Sequence, residues 1–146
     1  MPITFKMFLN FPASYDNRNI TIPSLRTSTF IMDTKVDNNI LSIIGKVGNH
    51  TQIFELSKSK TLLNSEVKLY CDCESFKYEF YYVLLKHGCI PKQYTHIFES
   101  NNALLSPKKK NIHNIVSGCK HIISLANEIN RQQHKHKIIR DFFSIK

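Results

Sequence analysis

Tryptophan is absent from this chain and glycine is scarce, four among 146 residues. So few glycines leave no Gly-rich turn to cradle a phosphate. Neither G-x-S-x-G nor H-E-x-x-H occurs, and no pair of carboxylates is convincingly placed for acid–base work. The chain therefore reads as a non-enzyme. No apolar run reaches the 18 residues that suggest a membrane-spanning helix. The start, MPITFKMFLNF, is apolar but carries neither a basic region nor a small-residue cleavage site, so no secretory signal is expected. Without export, four cysteines point to a reducing compartment and to metal ligation rather than disulfides. The glycosylation-type matches at Asn19 and Asn49 are then coincidental.

Acidic side chains are in short supply as well. Eleven Asp and Glu stand against 20 Lys and Arg, a formal charge of +9. That balance favours an anionic partner, either nucleic acid or an acidic protein surface. With 42% hydrophobic residues, Phe and Tyr supplying the bulk, a chain of this length can bury one core.

What the chain does hold is two tight pairs of soft ligands. Cys71–Asp72–Cys73 and Cys119–Lys120–His121 are separated by 45 residues. Three thiolates and one imidazole suit a tetrahedral structural Zn²⁺, with Zn–S near ~2.3 Å and Zn–N near ~2.0–2.1 Å. Cys71, Cys73, Cys119 and His121 are thus the expected metal ligands and Zn²⁺ the expected cofactor. Four protein ligands leave no open position for water, which disfavours Lewis-acid hydrolysis. A plainer reading stays open, in which C-D-C merely ends a strand and the second pair is incidental. Cys89 or His113 could also stand in for His121. Otherwise Cys89, beside Ile90–Pro91, reads as a buried structural residue, His87 as a satisfied core histidine, and His134 and His136 as solvated.

The order strand, CDC, SFKYEFYYVLLKHG, loop, GCKHIISLANEI resembles the zinc-binding SWIM domain. More closely, it resembles a SWIM-like variant met in virion proteins of large tailed bacteriophages, with an aromatic-rich helix after C-x-C and G-C-K-H-(I/L) opening a second helix. The resemblance covers roughly residues 40–130 and rests on CDC-x-SF together with GCKHI. The usual SWIM ending, H-x-C, is reversed here to C-x-H, which keeps the same donors. The resemblance implies a non-enzymatic zinc protein of a phage virion (head, neck or tail), made in the host cytoplasm. Its partners would be other virion proteins, in a ring or another multi-copy assembly. A SWIM-type nucleic-acid-binding module is the alternative.

Period-two alternation over residues 3–11 predicts a half-buried strand ended by Pro12. Residues 13–29 read as a polar arm, and Thr29–Met32 as a short strand. Ile40–Val47 and Thr51–Ser57, joined through Gly48–Asn49–His50, predict a β-hairpin. Glu66–Cys71 is a third strand that delivers Cys71 to the metal. A helix from Ser75, its N-cap, to His87 would bury Phe76, Phe80, Val83, Leu84 and His87, with Gly88 as left-handed C-cap. Tyr78, Tyr81 and Tyr82 flank that face. A long connection over 89–116 carries Lys108, Lys109 and Lys110, a candidate contact for phosphates or an acidic surface. Ser117 or Gly118 opens the last major helix, buried through Ile122, Leu125, Ala126 and Ile129. Beyond a basic spacer, Ile138, Ile139, Phe142 and Phe143 either fold back or dock onto a partner, and docking is the expectation. The fold class is α+β: a small antiparallel sheet followed by two helices, clasped by one structural zinc. The expected divisions are an N-terminal strand or arm (1–36), the zinc-binding domain (37–132), and a basic spacer with an apolar tail (133–146).

Overall fold

A computed structural model describes residues 3–9, 26–96 and 116–144. Four strands, β1 (Thr29–Asp37), β2 (Ile40–Val47), β3 (His50–Ser57) and β4 (Val67–Cys71), form one antiparallel sheet in sequence order. A π-helical turn, Phe76–Phe80, runs directly into α1 (Tyr81–Lys86). A 3-10 turn follows at Lys92–Tyr94, and then α2 (Lys120–Gln132) and α3 (Lys137–Phe142). The architecture is α+β.

The hairpins follow from local chemistry. β2 and β3 pair with Val47 opposite His50, so the loop is only Gly48–Asn49, with Gly48 at φ +59°. A left-handed first loop position is where glycine is least strained. β1 and β2 turn through Asn38–Asn39 in the same way, Asn38 at φ +57°.

Side chains alternate across the sheet. One face carries Leu41, Ile43, Val47, Phe54, Leu56, Val67 and Leu69, all buried. α2 lies across this face and touches all four strands. It comes close because β2 has glycine at position 45: a Cβ there would sit 2.4 Å from both Leu125 methyls. Thr29 and Ser124 hydroxyls add a buried hydrogen bond of 2.8 Å. On the opposite face, Tyr70 of β4 stacks on Tyr94 at 4.2 Å and meets Phe76 and Tyr81 edge-on.

Several expectations need correction. Residues 3–9 form a 3-10 turn, Phe5–Phe8, rather than a strand, joined to the sheet by a single bridge, Thr4 to Glu66. Three residues per turn place Phe5 and Phe8 on one side, where both are fully buried. β1 runs to Asp37, so an arm ending at 36 would cut through a strand paired along its length with β2. Ser75 is already helical and makes no side-chain cap. The π turn adds one residue to the helix, with the Tyr81 N–H bonding to the Phe76 carbonyl. That rotates Tyr81 into the core and leaves His87 exposed rather than buried. Tyr78 is likewise exposed. The tail does not wait for a partner. Ile139, Phe142 and Phe143 are buried against the chain's own core and only Ile138 stays exposed. Lys58 holds the segment down by bonding the Phe142 carbonyl, its ammonium 4.6 Å from that ring's centre. Gly88 does close α1 at φ +73°.

Candidate metal centre

β4 carries Cys71 to the helix-covered face of the sheet, opposite Gln52 of β3. The chain turns at Asp72, and Cys73 then starts the first helical run. Its carbonyl accepts the Lys77 N–H at 3.2 Å and its sulfur accepts the Phe76 N–H at 3.3 Å. Cys73 thus fills the capping role that the sequence suggests for Ser75. Cys119 caps α2 in an extended conformation, its carbonyl accepting the Ile123 N–H at 3.0 Å, and His121 falls on the first turn. Two helix N-termini therefore converge on the three sulfurs. Each positive end favours thiolate over thiol by about 0.3–1 kcal/mol.

The four donor atoms all lie within 4.8 Å of one another and all four residues are buried. His121 Nδ1 is 3.9 Å from Cys71 Sγ and 3.8 Å from Cys119 Sγ. A tetrahedron built on ligand bonds of ~2.0–2.3 Å has edges of ~3.3–3.8 Å. Distances and donor chemistry both fit a single metal ion, which Cys71, Cys73, Cys119 and His121 could hold as a closed set.

The thiols influence one another strongly. Hydrogen bonds from Cys119 and Cys71, with the Phe76 amide, pull Cys73 far below the usual thiol range. Burial pushes Cys71 and Cys119 up, Cys119 most clearly because it is wholly enclosed.

Three neighbours of the centre escape a reading of the sequence. Gln52 Nε2 donates to Cys71 Sγ at 3.7 Å, and its buried Oε1 has no hydrogen-bond partner among the described residues. Gln52 is detectable in principle, as the one polar residue in the inward phase of Gln52, Phe54 and Leu56. His50 lies over the His121 ring with centroids 4.5 Å apart, and its Nδ1 is 2.9 Å from Asp72 Oδ1. Asp72 also accepts the Thr51 N–H at 3.2 Å and returns its own N–H to the Thr51 carbonyl at 3.3 Å. Only the pairing of β3 with β4 brings these together, and no local pattern announces that register.

The other expected site residues separate from this cluster. Cys89 stands beside β4, its sulfur 3.6 Å from the His87 carbonyl, its thiol pushed up by burial. It is not among the clustered donors. His134 is exposed and His136 half-buried. Lys108, Lys109, Lys110 and His113 lie outside the described residues. Among the described residues no helix is long and apolar enough to cross a membrane. The sequence matches no protein-family model, and no curated protein or solved structure matches it.

Proposed function

We propose that the chain is a zinc-clasped structural module without catalytic activity, working through protein–protein contacts. One observation carries this reading: the four donors form a buried, closed set at the meeting point of β4, the first helix and α2. A closed Cys₃His set suits a structural zinc, since a catalytic zinc keeps a position open for water. The resemblance to SWIM-like proteins of tailed-phage virions extends the proposal to a small virion component. Elemental analysis of freshly purified, reduced protein tests the core of it. One equivalent of zinc per chain is expected, and a metal-free chain that is nonetheless fully folded overturns it.

A second reading, nucleic-acid binding, has its own support. Arg26, Arg131 and Lys135 line one open cleft together with the exposed Phe30. Cations beside an aromatic face suit phosphates and an unstacked base. Replacing these three cations should flatten the salt dependence of single-strand binding, by up to about 0.7 for each phosphate no longer neutralised.

A further inference from the structure

We propose that β1 is a self-pairing edge, and that two copies of this chain join antiparallel through it into one continuous eight-stranded sheet. The two edges of the sheet differ. At β4, the Val67 N–H bonds the Ile3 carbonyl at 3.2 Å and the Leu69 N–H bonds the Cys89 carbonyl at 2.8 Å. At β1, nine residues long, no further strand pairs among the described residues. An open edge is a template for another strand. This one also exposes large apolar side chains, Met32 at 61% and Val36 at 49%.

The register follows from the backbone. Asp37 and Ile40 flank a two-residue loop, so they form a hydrogen-bonded pair, as do Lys35 and Ser42 at the next such position. Thr34 and Val36 therefore turn their amides away from β2. Thr34 bears this out: its N–H bonds the neighbouring Asp33 carboxylate at 2.9 Å. A two-fold axis at Thr34 sets the Thr34 amides and carbonyls of the two copies to bond each other. It also sets Asp33 opposite the second copy's Lys35, Lys35 opposite its Asp33, and Met32 opposite its Val36. Centring on Asp33 or Lys35 instead would oppose like charges. Centring on Val36 also matches charges but shortens the overlap, because the loop at Asn38–Asn39 intervenes. Charges and the bulge at Met32 ordinarily protect an edge from strangers. Here the charge order is self-complementary, so the same residues would admit a second copy and discourage other strands.

The pairing deepens the contact-mediated reading above, on which it rests, by naming the partner as a second copy. Sedimentation of the zinc-loaded full chain tests it, with zinc content and circular dichroism confirming that each variant is folded. A reversible dimer is expected. Thr34→Pro, which removes an N–H not used by β2, should yield monomer. Lys35→Asp should raise the dissociation constant about tenfold, and Asp33→Lys with Lys35→Asp should restore it. A folded wild-type chain that stays monomeric at high concentration overturns the pairing while leaving contacts with other proteins standing. A dimer indifferent to Thr34→Pro overturns it too, by placing the contact elsewhere.

Discussion

Cys73 Sγ accepts the Phe76 amide at 3.3 Å, so one sulfur both caps a helix and belongs to the donor cluster. Substituting serine at 73 keeps a capping oxygen but removes a soft ligand, which separates the two roles. Cys73→Ser, Cys71→Ser and Cys119→Ser should each weaken zinc binding and destabilise the fold together, because binding free energy at such sites is folding free energy. Cys89→Ser should leave zinc stoichiometry unchanged and cost about 1–2 kcal/mol, its hydroxyl still able to donate to the His87 carbonyl. Competition with a chromophoric chelator, beside urea unfolding, reads both. Equal damage at 89 and 71 would mean the ligand set is misassigned.

Zinc affinity should climb with pH. Burial disfavours the thiolate at Cys71 and Cys119, whereas hydrogen bonds from its neighbours favour it at Cys73. Zinc takes thiolates, so binding must expel the protons these thiols hold, and affinity falls as acid is added. Proton release in weakly buffered solution, measured as zinc is titrated in, gives the number directly. Release of no protons at neutral pH would contradict this arrangement of thiols.

Alkali should ionise Tyr70 late. Burial, assisted by the Asp72 carboxylate, pushes its phenol up to about 12. The unfolded chain ionises near 10, so the protonated form is favoured by folding. The stability that Tyr70 contributes is complete below about pH 10 and is lost as pH rises through about 12. Phenolate absorbance should show a component that titrates late, and Tyr70→Phe should diminish it. A titration identical in the variant would refute the assignment.

Gly45→Ala should be costly although it adds a single methyl. The new carbon would meet both Leu125 methyls at 2.4 Å, and Leu125 is fully buried with little room to yield. Overpacking of this kind costs about 1–3 kcal/mol. Gly48→Ala meets no neighbour but must hold a left-handed backbone, so its cost is conformational and about 1 kcal/mol. Thermal unfolding of the pair ranks them, and a harmless Gly45→Ala would mean that α2 lies further from β2.

At the C-terminus, Phe143→Ala should cost about 3–5 kcal/mol of folding stability, since that ring is buried. Ile138→Ala, at an exposed position, should cost well under 1 kcal/mol. The opposite ranking would return the tail to the role of a docking segment.

The sheet and the clasp are readable because their signals are local. Leu41, Ile43 and Val47 alternate with polar or exposed positions, Gly48 marks the turn, and C-x-C with C-x-H places soft donors in pairs. What misleads is local too. Apolar residues at 3, 5, 7, 8, 9 and 11 satisfy both a two-residue and a three-residue repeat, and the Ser65 and Leu63 carbonyls decide for the turn by accepting the Phe5 and Lys6 N–H groups. A π turn is invisible to a 3.6-residue count, which therefore puts His87 one position out of phase. Whether Phe142 and Phe143 are covered depends on Lys58 and the chain around it, far away in sequence. The same holds for His50, Gln52 and Asp72, which meet only once β3 and β4 are in register.

The meeting of Cys73 with Cys119 has a topological consequence. With an ion in place, residues 74–118 become a closed ring, shut by coordination rather than by a peptide bond. A ring can be cut once without falling apart. A single nick within it would leave two polypeptides travelling as one particle, joined at the ion and along the face where α2 lies on the sheet. Chelation would then remove one of those two attachments, leaving packing alone to keep the halves together.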